Sequence, residues 1–181
     1  MPRTLVAIVL VLTIVAAGVF AGGSTEPSGD EGAPAPFAER VGAMSWDDIV
    51  AEASGEEVFF YMWGGSDAIN EFVQGYMGER LAEEYGITLN MVPVTDAGVF
   101  VNKVTGEKQA GRTEDGSVDL MWINGENFRT MKENDLLFGP YADMLPNMAY
   151  VDETNPVVEL DFGFPVEGYE SPYGGAQFVV V

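Results

Sequence analysis

The chain has 181 residues with no cysteine and no histidine, and its 29 acidic side chains against 8 basic ones give a formal charge of −21. Disulfides, thiolate metal sites and a lipidated cysteine are excluded, and the commonest general base and metal ligand is missing. An acidic surface of this strength suits a place outside the cytoplasm. It is a poor partner for nucleic acid, which needs a positive footprint, and its field attracts cationic solutes.

The chain opens like an export signal. Arg3 supplies the positive start, Leu5–Ala17 is apolar apart from Thr13, and Val19-Phe20-Ala21 fits a cleavage site after Ala21. The apolar run is shorter than the ~20 residues of a comfortable membrane span, although an uncleaved anchor is the competing reading. Residues 22–44 read as a flexible, acidic leader rich in Gly, Ser and Pro. Folded sequence is expected from Ser45 onward, about one domain of chain.

Ser45 is placed to cap a helix over Trp46–Ala53, with Asp47 and Asp48 in its first turn. A strand-then-helix unit then occurs three times. The strands are Val58–Trp63, Ile87–Val94 and Val118–Ile123. The helices are Asp67–Tyr85, Ala97–Ala110 and Gly125–Leu137. In the first of these, Ile69, Phe72, Val73, Tyr76, Met77, Leu81 and Tyr85 recur at helical spacing, and Gly86 marks the stop. Beyond Phe138 five prolines punctuate an irregular stretch. The chain closes on Ala176–Val181, a strand-like apolar run that looks cut, since proteins avoid bare apolar edges.

Alternation of this kind predicts an α/β fold with an open, mostly parallel sheet flanked by helices. Ligands in such sheets sit outside the carboxyl ends of the strands. Each strand here ends in a polar turn, so the candidate binding residues are Trp63, Gly64, Gly65, Ser66 and Asp67, then Thr95 and Asp96, then Asn124, Gly125, Glu126 and Asn127. The Trp63 ring can stack on a planar or cationic group or cover the sheet. Ser66 and Asp67 can cap a helix or touch ligand. Glu126 can serve the helix dipole. Asp67, Asp96 and Glu126 would share one rim, which favours a positively charged solute. Trp122 reads as core of a buried strand. Tyr173, between Pro172 and Gly174, reads as a rim aromatic or a loop anchor.

There is no Gly-x-x-x-x-Gly-Lys-Ser/Thr phosphate loop and no Gly-x-Ser-x-Gly elbow. No cofactor and no metal-ligand set is expected.

Several strings carry a resemblance. They are Tyr61-Met62-Trp63-Gly64-Gly65, Val118–Phe128 with its Trp-Ile-Asn-Gly-Glu-Asn-Phe core, Leu137-Phe138-Gly139-Pro140, Leu145-Pro146-Asn147, Asp161-Phe162-Gly163 and Ser171–Gln177. From Val58 onward the chain resembles the YnjB-like family of ABC-transporter solute-binding proteins. The wider relatives are periplasmic binding proteins for iron, thiamine, polyamines and similar solutes. The resemblance implies a two-lobed α/β protein, monomeric when full length, that closes on a small-molecule ligand and delivers it to a membrane permease. It also implies that residues 45–181 form the first lobe of a type II periplasmic-binding-protein-like fold. On that reading Gln177–Val181 begins the crossing into a second lobe that is absent.

The leading expectation is therefore a periplasmic solute-binding component, not an enzyme. The competing one is an exported carboxylate-based hydrolase of the glycosidase kind, which needs two acids facing each other about 5–10 Å apart. A cell-surface interaction module would instead show a large apolar patch.

Overall fold

A computed structural model describes residues 37–112 and 115–174. The export signal, most of the leader and the run Ala176–Val181 lie outside the described residues. The leader, expected to run to residue 44, contains a short helix, α1 (Phe37–Gly42), and Arg40 in it pairs with Glu52 at 2.8 Å. Glu52 belongs to α2 (Trp46–Ala53), which carries a reciprocal cap. Ser45 Oγ accepts the Asp48 N–H at 3.2 Å and the Asp48 carboxylate accepts the Ser45 N–H at 3.4 Å, which satisfies two helix-end donors.

Three parallel strands form the sheet, in the order β2-β1-β3. β1 (Glu57–Trp63) is central, β2 (Thr88–Val94) pairs along its whole length from Glu57↔Thr88 to Trp63↔Val94, and β3 pairs Phe60↔Leu120 and Tyr61↔Met121. The third strand is thus Leu120–Met121, far shorter than the expected Val118–Ile123. Side chains divert both of its ends. At the start, the Asp119 carboxylate takes the Phe59 N–H at 2.8 Å, where a strand would offer a carbonyl. At the end, Trp122 still donates its N–H to the Tyr61 carbonyl at 2.9 Å, but its ring leaves the sheet to meet Tyr173.

Helices cover both faces of β1. Gln74 reaches Met91 Sδ at 3.3 Å, and Met91 is the register partner of Phe60. The helical segment Asp67–Tyr85 therefore lies on the Phe60 and Met62 side. Phe100 of α5 (Gly98–Gln109) meets the Tyr61 ring edge-on at 6.5 Å, so α5 lies on the other side. α6 (Gly125–Glu133) follows β3, four residues shorter than expected. Met62, Val73, Phe100, Phe128 and Met131 form the centre of the core.

The Asp67–Tyr85 segment is not one regular helix. α3 (Asp67–Glu71) passes into a π-helical turn (Phe72–Met77) and then α4 (Gly78–Tyr85), closed by Gly86 at φ 72. This turn corrects the expected apolar face. Steps of four residues overshoot one α-helical turn by about 40° each, so Ile69, Val73, Met77, Leu81 and Tyr85 would drift off one side. The wider π turn takes back part of that drift. All five are buried or half-buried, while Phe72 and Tyr76 are exposed and stack on each other at 5.3 Å.

The stretch after Phe138 has more order than its prolines suggest. Two 3₁₀ turns (Ala142–Met144 and Pro146–Tyr150) and α7 (Pro156–Glu159) lead into a hairpin of β4 (Leu160–Asp161) and β5 (Phe164–Pro165). Among the described residues no helix is long and apolar enough to cross a membrane.

Candidate functional site

Parallel pairing brings the three strand ends to one edge. Trp63 is level with Val94, and the Gly64 N–H donates to the Val94 carbonyl at 3.2 Å, which puts Thr95 beside the Gly64-Gly65 turn. The Tyr61↔Met121 register carries Asn124 to the same height on the other side of β1. The three predicted turns therefore share one lip of the sheet.

Trp63 closes β1 with 52% of its surface open, and its ring folds back along the next turn. A Cβ built on Gly65 would lie 2.1 Å from Trp63 Cζ2, and one on Gly64 would lie 2.5 Å from Pro93 Cβ. Close approach to the rigid Pro93 requires glycine at position 64, and a side chain at position 65 would displace the Trp63 ring from where it lies. Asn70, one turn into the following helix, donates Nδ2–H to the Gly64 carbonyl at 2.9 Å and fixes that peptide.

The polar candidates divide into engaged and open groups. Ser66 holds the N-cap position of α3 but its hydroxyl makes no capping bond, and Asn124 does the same for α6. Asp96 accepts the Gly98 N–H at 2.7 Å, so one of its oxygens serves the start of α5. Asp67, Thr95 and Glu126 are exposed and Asn127 is half-buried. Gly125 sits at φ 59, a left-handed conformation that suits glycine. Tyr173 is 63% exposed and packs on Trp122 with ring centres 4.8 Å apart. Trp122 itself, expected in the strand core, is half-buried just past β3 because the strand ends at Met121. The Trp122–Tyr173 pair thus stands immediately before Asn124 on the lip.

A second cluster adjoins the Gly125 turn. Asp161 Oδ2 accepts the Gly125 N–H across 36 residues of chain. Burial pushes the Asp161 carboxyl up, and the Gly125 N–H opposes that shift. Glu170 is pushed further, to about 8, by burial first and then by the Asp161 charge, with Lys132 opposing. Lys132 is almost enclosed. Its ammonium donates to the Pro165 carbonyl and to Glu167 Oε2, both at 2.6 Å, and lies over the rings of Phe164 at 5.2 Å and Tyr169 at 5.5 Å. These contacts fasten the β4–β5 hairpin to α6. Sequence spacing gives no sign of this cluster, because its members meet only when the hairpin folds back. The one signal is that Asp161 stands in a string carrying the family resemblance.

No family model and no solved structure matches the chain. It is 46% identical over 145 residues to Protein YnjB of Escherichia coli (strain K12), an alignment that takes in 80% of this chain and 37% of that protein. The chain therefore spans little more than a third of the relative it matches. Along four-fifths of its own length it is YnjB-like.

Proposed function

We propose that this chain is the extracytoplasmic solute-binding component of an ABC importer and that it holds a small cationic solute against the lip described above. On this reading it supplies the first lobe of a type II periplasmic-binding-protein-like fold. A second lobe closes over the solute, and the closed form is what the membrane permease recognises. No bond is made or broken; the ligand favours closure through its greater affinity for the closed state. The observation that supports this best is the alignment of three strand ends that present Trp63, folded on Gly64-Gly65, beside the exposed acids Asp67 and Glu126. The likeness to YnjB and the strongly negative charge are consistent with it.

Calorimetric titration with spermidine tests the reading. Trp63→Ala should weaken binding roughly tenfold, between the values of an exposed and a desolvated cation–π contact, with little change in melting temperature. Asp67→Asn should weaken it severalfold, more at low salt than at high. An equal loss of melting temperature with unchanged affinity would return Trp63 to packing. Unchanged or tighter binding in Asp67→Asn would remove the cation from the proposal.

A carboxylate-based hydrolase is the second reading. It draws on Asp161 and Glu170, two acids that feel each other's charge, one of them protonated at neutral pH. The binding reading is preferred because neither of these acids stands on a strand-end turn of the parallel sheet, where ligands of such sheets sit.

A further inference from the structure

The β4–β5 hairpin turns on two residues, Phe162 and Gly163, between the pairs Asp161↔Phe164 and Leu160↔Pro165. Both turn residues have positive φ, 46° and 85°. This is the two-residue turn whose first position suits Asn, Asp or Gly, and Asn-Gly is its preferred pair. A bulky aromatic residue there is an outlier, since left-handed backbone strains a non-glycine residue. Nothing in the packing accounts for it: the Phe162 ring is 75% exposed. An apolar ring on a strained backbone, open to solvent, breaks two local rules at once, and such violations mark functional sites.

The ring's position says which site. A Cβ built on Gly125 would lie 3.7 Å from Phe162 Cδ2, an ordinary contact distance, so the ring stands beside the lip's third turn with room for a methyl group between them. Two clamps hold it there: Asp161 accepts the Gly125 N–H on one side, and Lys132 binds the Pro165 carbonyl on the other. Phe162 also lines a shallow depression with Glu126 and Arg129. The Arg129 charge is taken up by Glu133 at 2.9 Å, leaving Glu126 as the exposed charge beside the ring.

We propose that Phe162 is a ligand-contacting residue that gives the lip a second aromatic wall, and that the solute it selects is a flat organic cation. This rests on the solute-binding reading above and narrows its ligand class. Trp63 stands at the end of β1, and Phe162, carried on the β4–β5 hairpin, stands beside the Gly125 turn that follows β3, next to Glu126. A flat cation can meet an aromatic face there and a carboxylate at its rim.

The test uses the full chain, Phe162→Asn and Trp63→Ala, read by melting temperature and by calorimetric titration with N-methylpyridinium and spermidine. Phe162→Asn puts the preferred pair into the turn, so its melting temperature should rise by about 2–4 °C. Its affinity for N-methylpyridinium should fall roughly tenfold, and that for spermidine should fall less. A lower melting temperature would assign the ring to packing and overturn the proposal. Unchanged N-methylpyridinium affinity in Phe162→Asn, beside weakened binding in Trp63→Ala, would overturn it while the solute-binding reading stands. If the parent chain binds neither cation, the solute-binding reading fails and this proposal fails with it.

Discussion

Phe128→Ala should lower the melting temperature by about 10 °C, from a stability loss of about 3–5 kcal/mol. Phe128 is 0% exposed and sits mid-way along α6. Its ring meets Phe164 of the hairpin edge-on at 6.0 Å, and the Lys132 ammonium lies 5.9 Å from its centre. Truncation to alanine removes an aromatic side chain from a site where neighbours on two elements converge, and the surroundings can collapse only in part. Circular dichroism melts of the parent and variant give the loss directly. Limited proteolysis gives the local consequence: with its anchor gone, the hairpin should be cut near Phe162 before the rest of the chain. A loss of under about 0.5 kcal/mol, the level of an ordinary surface change, would show that the α6–hairpin contact is loose.

Glu170→Gln should flatten the dependence of stability on pH between about 4.5 and about 8. The carboxyl is raised from 4.5 to about 8 in the fold. Below 4.5 both folded and unfolded chains carry the proton, and Glu170 contributes no slope. Above it, the unfolded chain releases a proton that the folded chain retains. Stability therefore falls as pH rises, until the folded carboxyl also ionises. Asp161, also raised, adds a slope of the same sign. Glu107 and Asp152 are lowered by hydrogen bonds from Ser117 and Thr154, so their share is lost as pH falls through the acid range. The difference between parent and Glu170→Gln isolates one group from the other three. The variant, neutral at every pH, should melt higher than the parent at pH 8 and close to it at pH 5. Parallel profiles would mean that Glu170 is solvated and that its proximity to Asp161 has no thermodynamic weight.

The strand-helix alternation was legible because β-branched and aromatic runs alternate with helical spacing, and the order of elements through Glu133 follows it. The ends of β1, β2 and α2 agree with the reading to within a residue. What escaped was set by single side chains. Asp119 reads as part of a strand, yet its carboxylate replaces a ladder acceptor and shortens β3. Trp122 reads as core, yet it finds an aromatic partner 51 positions away in Tyr173. Phe72 and Tyr76 fit the helical period, and only the π turn puts them outside. The lip itself was legible in outline, because parallel strands bring their ends to one edge whatever their length. The Asp161, Lys132 and Glu170 cluster was not, since it depends on a hairpin folding back onto α6 from a proline-rich stretch.

Pro93 has a consequence for how this molecule meets others. The Thr88 N–H points into the sheet, toward the Glu56 carbonyl at 2.9 Å. By alternation, the amides at positions 89, 91 and 93 face away from β1, and at 93 the ring nitrogen has nothing to donate. The outer margin of β2 is thus a broken template on which a foreign backbone cannot register fully. A strand that adds at this margin, from a neighbour in a crowded solution or from a partner, finds outward donors at 89 and 91 and a gap at 93.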